Sequence, residues 1–234
     1  MLDRIFRPTQ PRACRALVNV GLLAAAAMLS GPAAAAANLR SDAARDDYRF
    51  DVYYNGKRIG KHEFRVDRSA DEIQVESEAN FTIKLLFVPV YKYRHVSTES
   101  WLASCLQTLA SSTNDNGELF KVALNPGPEQ PILSKLAPHP TTTPLRETCP
   151  ASYAYWDLEL LRRGSLINSQ TGDLMPARLV DHGIEQFDGI AARRFTLDVR
   201  ETGTIQLWYR ESDSQWIALE TVRDGGTLAY RTRA

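Results

Sequence analysis

The feature that most constrains this chain is a period-two alternation that returns in run after run. It is clearest in Tyr91–Trp101, where Tyr91, Tyr93, His95, Ser97, Glu99 and Trp101 fall on one side of an extended backbone. Successive side chains in a strand point to opposite faces, so these six share a face. That face is both aromatic and polar. A plain core would carry aliphatic residues there, and a plain surface would not carry three aromatics, so it is a candidate wall of a ligand cavity.

The same alternation extends both ways. Tyr48–Tyr54 places Tyr48, Phe50, Val52 and Tyr54 together, and Asn55-Gly56 follows. Asn-Gly between alternating runs marks a hairpin, because a type I′ turn needs positive φ at both central positions. Ile59–Asp67 returns with His62, Phe64 and Val66 on one face. Glu72–Phe87 then sets Ile73, Val75, Ala79, Phe81, Ile83, Leu85 and Phe87 against Gln74, Glu76, Glu78, Asn80 and Lys84. Its end, Ile83–Val90 around Pro89, is apolar on both faces, which fits a doubly buried strand, a bulge or an exposed apolar lip. Asn116-Gly117, Asp188-Gly189 and Gly225-Gly226 punctuate further strands, among them Asp173–Ile184, Ala192–Glu201, Thr204–Arg210 and Gln215–Arg223.

Two segments break the pattern. Pro126, Pro128, Pro131, Pro138, Pro140, Pro144 and Pro150 lie so close together that a central strand is forbidden between them. Residues 126–150 are therefore expected to form a long loop over the open side or edge of the sheet. Ser152–Arg163, SYAYWDLELLRR, reads as a helix: Ser152 caps it, Asp157 and Glu159 precede Arg162 and Arg163, and Gly164 ends it. The expected fold is mainly β, a curved antiparallel sheet or open half-barrel wrapped over that one helix near 152–163.

The beginning of the chain reads as an address. Arg4, Arg7, Arg12 and Arg15 precede the apolar run Ala16–Leu29, and Gly31-Pro32 leads to the small residues Ala33–Ala37. This is the order of a secretory signal peptide, with cleavage expected after Ala37. The run falls short of the roughly 20 residues that a spanning helix needs. Residues 1–37 are thus expected to be a signal and 38–234 a single domain, periplasmic or secreted, and not an integral membrane protein after cleavage. Without the leader, 24 basic residues face 27 acidic ones. Such a balance offers no electrostatic footprint for nucleic acid.

Only Cys105 and Cys149 follow the leader. In an oxidising compartment they suggest one disulfide, the alternative being two buried thiols.

Three stretches, YRHVSTESWLASCLQTLASSTNDNG, SYAYWDLELLRRGSLINSQTGDLMPARL and IQLWYRESDSQWIALETVRDGGTLAYR, resemble a family of exported bacterial proteins classed as a domain of unknown function. The resemblance covers nearly all of residues 38–234. It implies a fold like that of the periplasmic lipoprotein carriers, an unclosed antiparallel barrel with an apolar interior. It transfers no catalytic residues.

The chemistry that the residues allow is narrow. His62, His95, His139 and His182 are scattered with no close-spaced ligand pair, so no metal is expected. No Gly-x-Ser-x-Gly and no phosphate-cradling loop occurs, and no cofactor is expected. His95 and Glu99 share a face but lie about 13 Å apart along a strand, too far for a hydrogen bond within it. The leading expectation is a non-enzymatic protein holding an apolar small molecule or lipid. Phe81, Leu85, Phe87, Tyr91, Tyr93, His95 and Trp101 would line its cavity, and the proline-rich loop would cover it. The alternatives are a cofactor-independent enzyme using His95 and Glu99, and an envelope module that binds another protein through a sheet edge.

Overall fold

The computed structural model describes residues 44–200 and 203–233, apart from the side chain of Leu85. The basic leader, its apolar run and the Ala37 boundary lie outside the described residues. Among the described residues the chain forms fourteen strands in one antiparallel sheet. They are β1 (Ala44–Tyr54), β2 (Lys57–Ser69), β3 (Glu72–Leu85), β4 (Val88–Leu102), β5 (Cys105–Asp115), β6 (Glu118–Asn125), β7 (Ile132–Ala137), β8 (Thr141–Pro144), β9 (Ser165–Ile167), β10 (Leu174–Phe187), β11 (Ile190–Val199), β12 (Gly203–Arg210), β13 (Trp216–Arg223) and β14 (Gly226–Thr232).

Each strand pairs with its neighbours in sequence, except that β8 and β9 are edges and β1 pairs with β14. The sheet is therefore a meander in two arms, β1–β8 and β9–β14, zipped where β1 pairs with β14. It is not closed into a barrel. Two-residue hairpins do most of the turning: Asn55-Gly56, Asn116-Gly117, Asp188-Gly189 and Asp224-Gly225 all hold the positive φ pair that type I′ geometry demands. Gly60 serves a different need. A Cβ there would come within 2.0 Å of the Asn80 carbonyl oxygen, so only glycine lets β2 and β3 approach beside the irregularity at Val52/Tyr53.

The alternation translates directly into burial. Phe50, Val52, Val66, Val75, Leu109, Leu124, Phe195, Leu197, Leu207 and Trp216 turn inward and form one core spanning both arms. Trp216 sits at its centre, 4.2 Å from the Phe50 ring and 5.4 Å from that of Phe64.

Two expectations are corrected here. The proline-rich stretch is not a bare loop, since it supplies β7 and β8. β7, Ile132–Ala137, falls between prolines and contains none, and Pro144 ends β8, the edge strand, where a missing N–H removes no ladder bond that the fold requires. The segment 152–163 is not a helix, and the sheet wraps no α-helix among the described residues. Only a single 3₁₀ turn, Leu160–Arg162, occurs in it.

Its backbone is claimed by the strands instead. The Pro150 carbonyl accepts from Leu106 N–H at 2.9 Å, the Ala151 carbonyl accepts from Ile167 N–H at 2.8 Å, and Ser152 bridges Ile167. Ala151 and Ser152 are buried, and from Ser152 through Ala154 to Trp156 burial recurs at every second residue, the period of extended chain and not of a helix. A twelve-residue helix rich in tyrosine and tryptophan has little intrinsic stability, so tertiary partners decide its form. The segment runs from edge strand β8 to edge strand β9 through the concave side of the sheet. The Cys105–Cys149 disulfide fixes its entry, with Cα atoms 4.7 Å apart.

Candidate functional site

A cavity of about 720 Å³ lies within the concave face. Its origin can be read from the register. Phe64, Ser77, Ser97 and Ser111 are successive cross-strand partners from β2 to β5, and one step toward the β3–β4 turn stand His62, Ala79, His95 and Thr113. Small side chains at inward positions leave space that core residues would otherwise fill. Of the row below, Val66, Val75, Glu99 and Leu109, the central pair Val75 and Glu99 lines the floor. Beneath it Trp101 stacks edge-on against Trp156 at 5.7 Å and closes that end. The row above, with Phe81 against Tyr93 and then Ile83 against Tyr91, leads to the mouth. From Glu99 to Tyr91 the wall runs about 26 Å along β4. The opposite side is closed by Tyr153, Tyr155 and Trp156 of the crossing segment and by the loop Asn168–Thr171.

The polar groups inside are hydrogen-bonded. His95 Nδ1 lies 2.8 Å from Thr113 Oγ1, and Nε2 is 3.4 Å from Ser169 Oγ. His62 Nε2 is 2.7 Å from Ser77 Oγ and Nδ1 is 3.3 Å from the Tyr230 hydroxyl. Burial holds the His95 imidazole down to about 4. Burial, with His95 nearby, lowers that of His62 as well. Both rings are therefore neutral at pH 7. Burial also pushes the phenols of Tyr93, Tyr155 and Tyr230 up, so they stay protonated.

Glu99 is the one carboxyl at the floor. Burial raises it to about 7, opposed by Ser152 and by the Trp101 indole N–H, which donates to Glu99 Oε2 at 3.0 Å. The Ser152 hydroxyl is fully buried and lacks a well-formed hydrogen bond, although it lies close enough to favour the Glu99 carboxylate. Apart from Glu99, fixed charge gathers at the mouth, with Asp115, Arg223 and Asp224. There the Tyr91 hydroxyl donates to Asp115 at 2.7 Å, and Gln170 links Tyr93 to the same carboxylate at 3.0 and 3.2 Å. The interior is thus a deep slot, aromatic and aliphatic, with neutral polar groups and little charge to desolvate.

Of the residues expected to line a cavity, Phe81, Tyr91, Tyr93 and His95 do so, and so does Glu99. Trp101 lies below the floor in the packed core, 1% exposed. Phe87 sits on the β3–β4 turn, 95% exposed and outside the cavity, and the Leu85 side chain lies outside the described residues. His95 and Glu99 face the same space but bind separate partners. The expected proline-rich cover is replaced by the crossing segment and Asn168–Thr171, as no residue from 116 to 151 lines the cavity. His62, Tyr155, Tyr230 and the loop are additions. His62 shared its alternating face with Phe64 and Val66, which was a usable signal, whereas Asn-Ser-Gln-Thr carries none.

Among the described residues no cluster of histidine, cysteine, aspartate or glutamate could hold a metal ion. A second concavity of about 960 Å³ is lined mainly by charged residues of β1–β4 with Arg210 and Arg233. Several of those charges are already engaged: Arg65 binds Glu76 at 2.5 Å and Arg233 reaches Glu63 at 3.4 Å.

Residues 50–233 match the model of a family described as a domain of unknown function, DUF6134. No curated protein matches the sequence. Among solved structures, the chain is similar to a beta-barrel-like protein of the DUF1849 domain of unknown function from Brucella abortus, with a TM-score of 0.60 and 10% identity over 82% of this chain and 96% of that one. At that identity the likeness is one of fold. A DUF1329 family protein from Desulfovibrio piger also aligns, with a TM-score of 0.24 and 9% identity over 81% of this chain and 82% of that one.

Proposed function

This chain belongs to the DUF6134 family, and we propose that it is an exported, non-enzymatic protein that holds an apolar small molecule or an acyl chain in the cavity of its sheet. The observation that carries this reading is the pair of small inward residues Ser77 and Ser97, beside Ala79. They hollow a slot of about 720 Å³ whose imidazoles and phenols are neutral at pH 7. Such a volume lies within the usual range of small-molecule sites, and its aromatic and aliphatic side chains would hold an apolar guest while the polar groups interspersed among them orient it. The slot is long and closed at the Trp101 end, so a linear chain enters from the Tyr91 end. The signal-like leader and the Cys105–Cys149 disulfide support a periplasmic setting. Among the described residues no helix is long and apolar enough to cross a membrane.

Native mass spectrometry of the gently purified protein, followed by denaturing extraction, tests the proposal. It predicts a co-purifying acyl-chain or similarly apolar compound, or one-to-one uptake of one that is added. A bare mass that takes up nothing counts against it.

A second reading rests on Glu99. A carboxyl poised near neutrality inside a cavity suits general acid–base work. Glu99→Gln and His95→Gln should then abolish a turnover that the folded protein otherwise supports, and unchanged turnover removes the role.

A further inference from the structure

The turn between β3 and β4 differs from the chain's other positive-φ hairpins in carrying two large apolar residues, where the β4–β5 turn has the small pair Ala103-Ser104 at φ 47° and 65°. Four of the other hairpins carry Asn-Gly or Asp-Gly, the pair that best tolerates φ > 0 at both central positions. Here the same backbone is built from Leu86 at φ 46° and Phe87 at φ 73°. Branched and aromatic residues are strained in that region. Neither side chain recovers the strain by packing: Leu86 is 85% and Phe87 95% exposed, with Val88 and Val90 also largely exposed beside them. Two large apolar residues thus stand where folding favours a different pair and burial gives nothing back.

We propose that the Leu86–Val90 tip is a membrane-docking wedge that inserts into the surface of an anionic lipid bilayer. The tip is convex and offers no groove. Both of its strands are already paired on both sides, β3 with β2 and β4, and β4 with β3 and β5, so no free sheet edge is available for a partner strand. Lys84 and Lys92 bracket the run KLLFVPVYK, which contains no acidic residue, and both are exposed, as is Lys57, whose Nζ lies 3.4 Å from the Lys84 carbonyl. Apolar side chains ringed by lysine match a bilayer interface with anionic headgroups. The tip also continues the cavity wall, because Ile83 and Tyr91, paired just below it, line the mouth. Docking there would bring the mouth against lipid.

The test uses the chain from Asn38 onward, which retains the whole compact unit Arg40–Ala234, and phosphatidylethanolamine–phosphatidylglycerol vesicles in a flotation assay. The double variant Leu86→Asn/Phe87→Gly restores the turn chemistry of the other hairpins and should melt no lower than the parent. The expected result is vesicle binding by the parent that falls at least about tenfold in the variant, and that weakens on neutral phosphatidylcholine vesicles. Equal binding by a folded variant overturns the proposal. So does a parent that ignores vesicles, including one that instead forms concentration-dependent dimers which the variant abolishes. The cavity is read separately by native mass spectrometry of both proteins. A variant that keeps its occupant but loses vesicle binding isolates the tip, and failure to find any occupant leaves the vesicle result standing.

Discussion

The two arms of the sheet share one pleat and one inward alternation, but they fill their inward positions differently. In β2–β5 those positions mix large apolar residues, Phe64, Val66, Val75, Phe81 and Leu109, with small or polar ones, His62, Ser77, Ala79, His95, Ser97, Glu99, Ser111 and Thr113. In β11–β13 they carry Phe195, Leu197, Val199, Ile205, Leu207 and Leu219. The second arm is the more solid, with Leu197 and Leu207 fully buried, although Ile205, Leu219 and Thr221 also reach the cavity. The first arm is hollow, and most of its inward residues border the cavity. The difference teaches that alternation alone sets which face is inside, while side-chain size and polarity along that face decide whether it becomes core or wall. Both arms thus contribute to the one core, and the small and polar inward residues of the first leave it an interior.

The largest effect should come from breaking the solid arm. Phe195→Ala should destabilise by about 3–5 kcal/mol in urea denaturation, because the transfer loss is joined by a new cavity in packed surroundings. Phe81→Ala, at a wall that already borders open space, should lose only the transfer part, about 2 kcal/mol. Equal losses would mean that the arms do not differ as described.

The closed end depends on the bridge that ties the crossing segment to β5. Cys105→Ser with Cys149→Ser should cost about 4 kcal/mol by the chain-entropy model, for a separation of 44 residues. An unshifted urea midpoint on reduction would show that the segment is held by its backbone bonds alone.

The polar residues of the hollow arm predict a pH signature. Glu99 titrates near 7 when folded, above its ordinary value of 4.5, so its contribution is fully present below about 4.5 and is lost as pH rises through 7. His95 works the other way: held near 4 against an ordinary 6.5, it contributes stability above 6.5 that is lost as pH falls toward 4. Between 4.5 and 6.5 the two oppose each other. Glu99→Gln should therefore gain on the parent by about 3 kcal/mol between pH 4 and pH 8, measured as the change in stability difference across that range. A difference that does not vary with pH would place Glu99 in water rather than on the cavity floor.

The smallest effect concerns the loop that closes the slot. The Ser111 hydroxyl donates to the Ser169 carbonyl at 2.5 Å, one of the bonds seating Asn168–Thr171 on the hollow arm. Ser111→Ala should cost about 1 kcal/mol and raise hydrogen exchange in that loop, with the solid arm unaffected. Exchange that rises equally in both arms would argue for one undivided core.

Much of this fold is legible in the residues because antiparallel hairpins are local. Asn55-Gly56, Asn116-Gly117 and Asp188-Gly189 set turns within a few residues, and alternation between them places Tyr91, Tyr93, His95 and Glu99 on one inner face. Segment 152–163 was not legible for the opposite reason. Its caps and charge order suit a helix, but its backbone partners, Leu106 and Ile167, and the bridge at Cys149 come from distant strands. The prolines were read correctly as unfit for a central strand, yet an edge strand tolerates them, and edge position is a property of the assembled sheet. Phe87 and Trp101 continue the wall by periodicity alone. Only the turn at Leu86-Phe87 and the packing of Trp156 remove them from the cavity. The loop Asn168–Thr171 has no pattern to betray a lining role, because it acts through contacts that only folding creates.

Under the proposed function, the row at Ser77 and Ser97 is hollow in order to hold an apolar guest. That reading is tested most directly by filling that row. Ser97→Phe places a ring in the slot without displacing a packed neighbour. The measurement is titration of the purified parent and variant with the apolar fluorophore N-phenyl-1-naphthylamine. The account predicts saturable one-to-one binding by the parent and at least about tenfold weaker binding by a Ser97→Phe protein that melts at or above the parent's temperature. Absence of saturable binding by the parent, or equal binding by both, would contradict it.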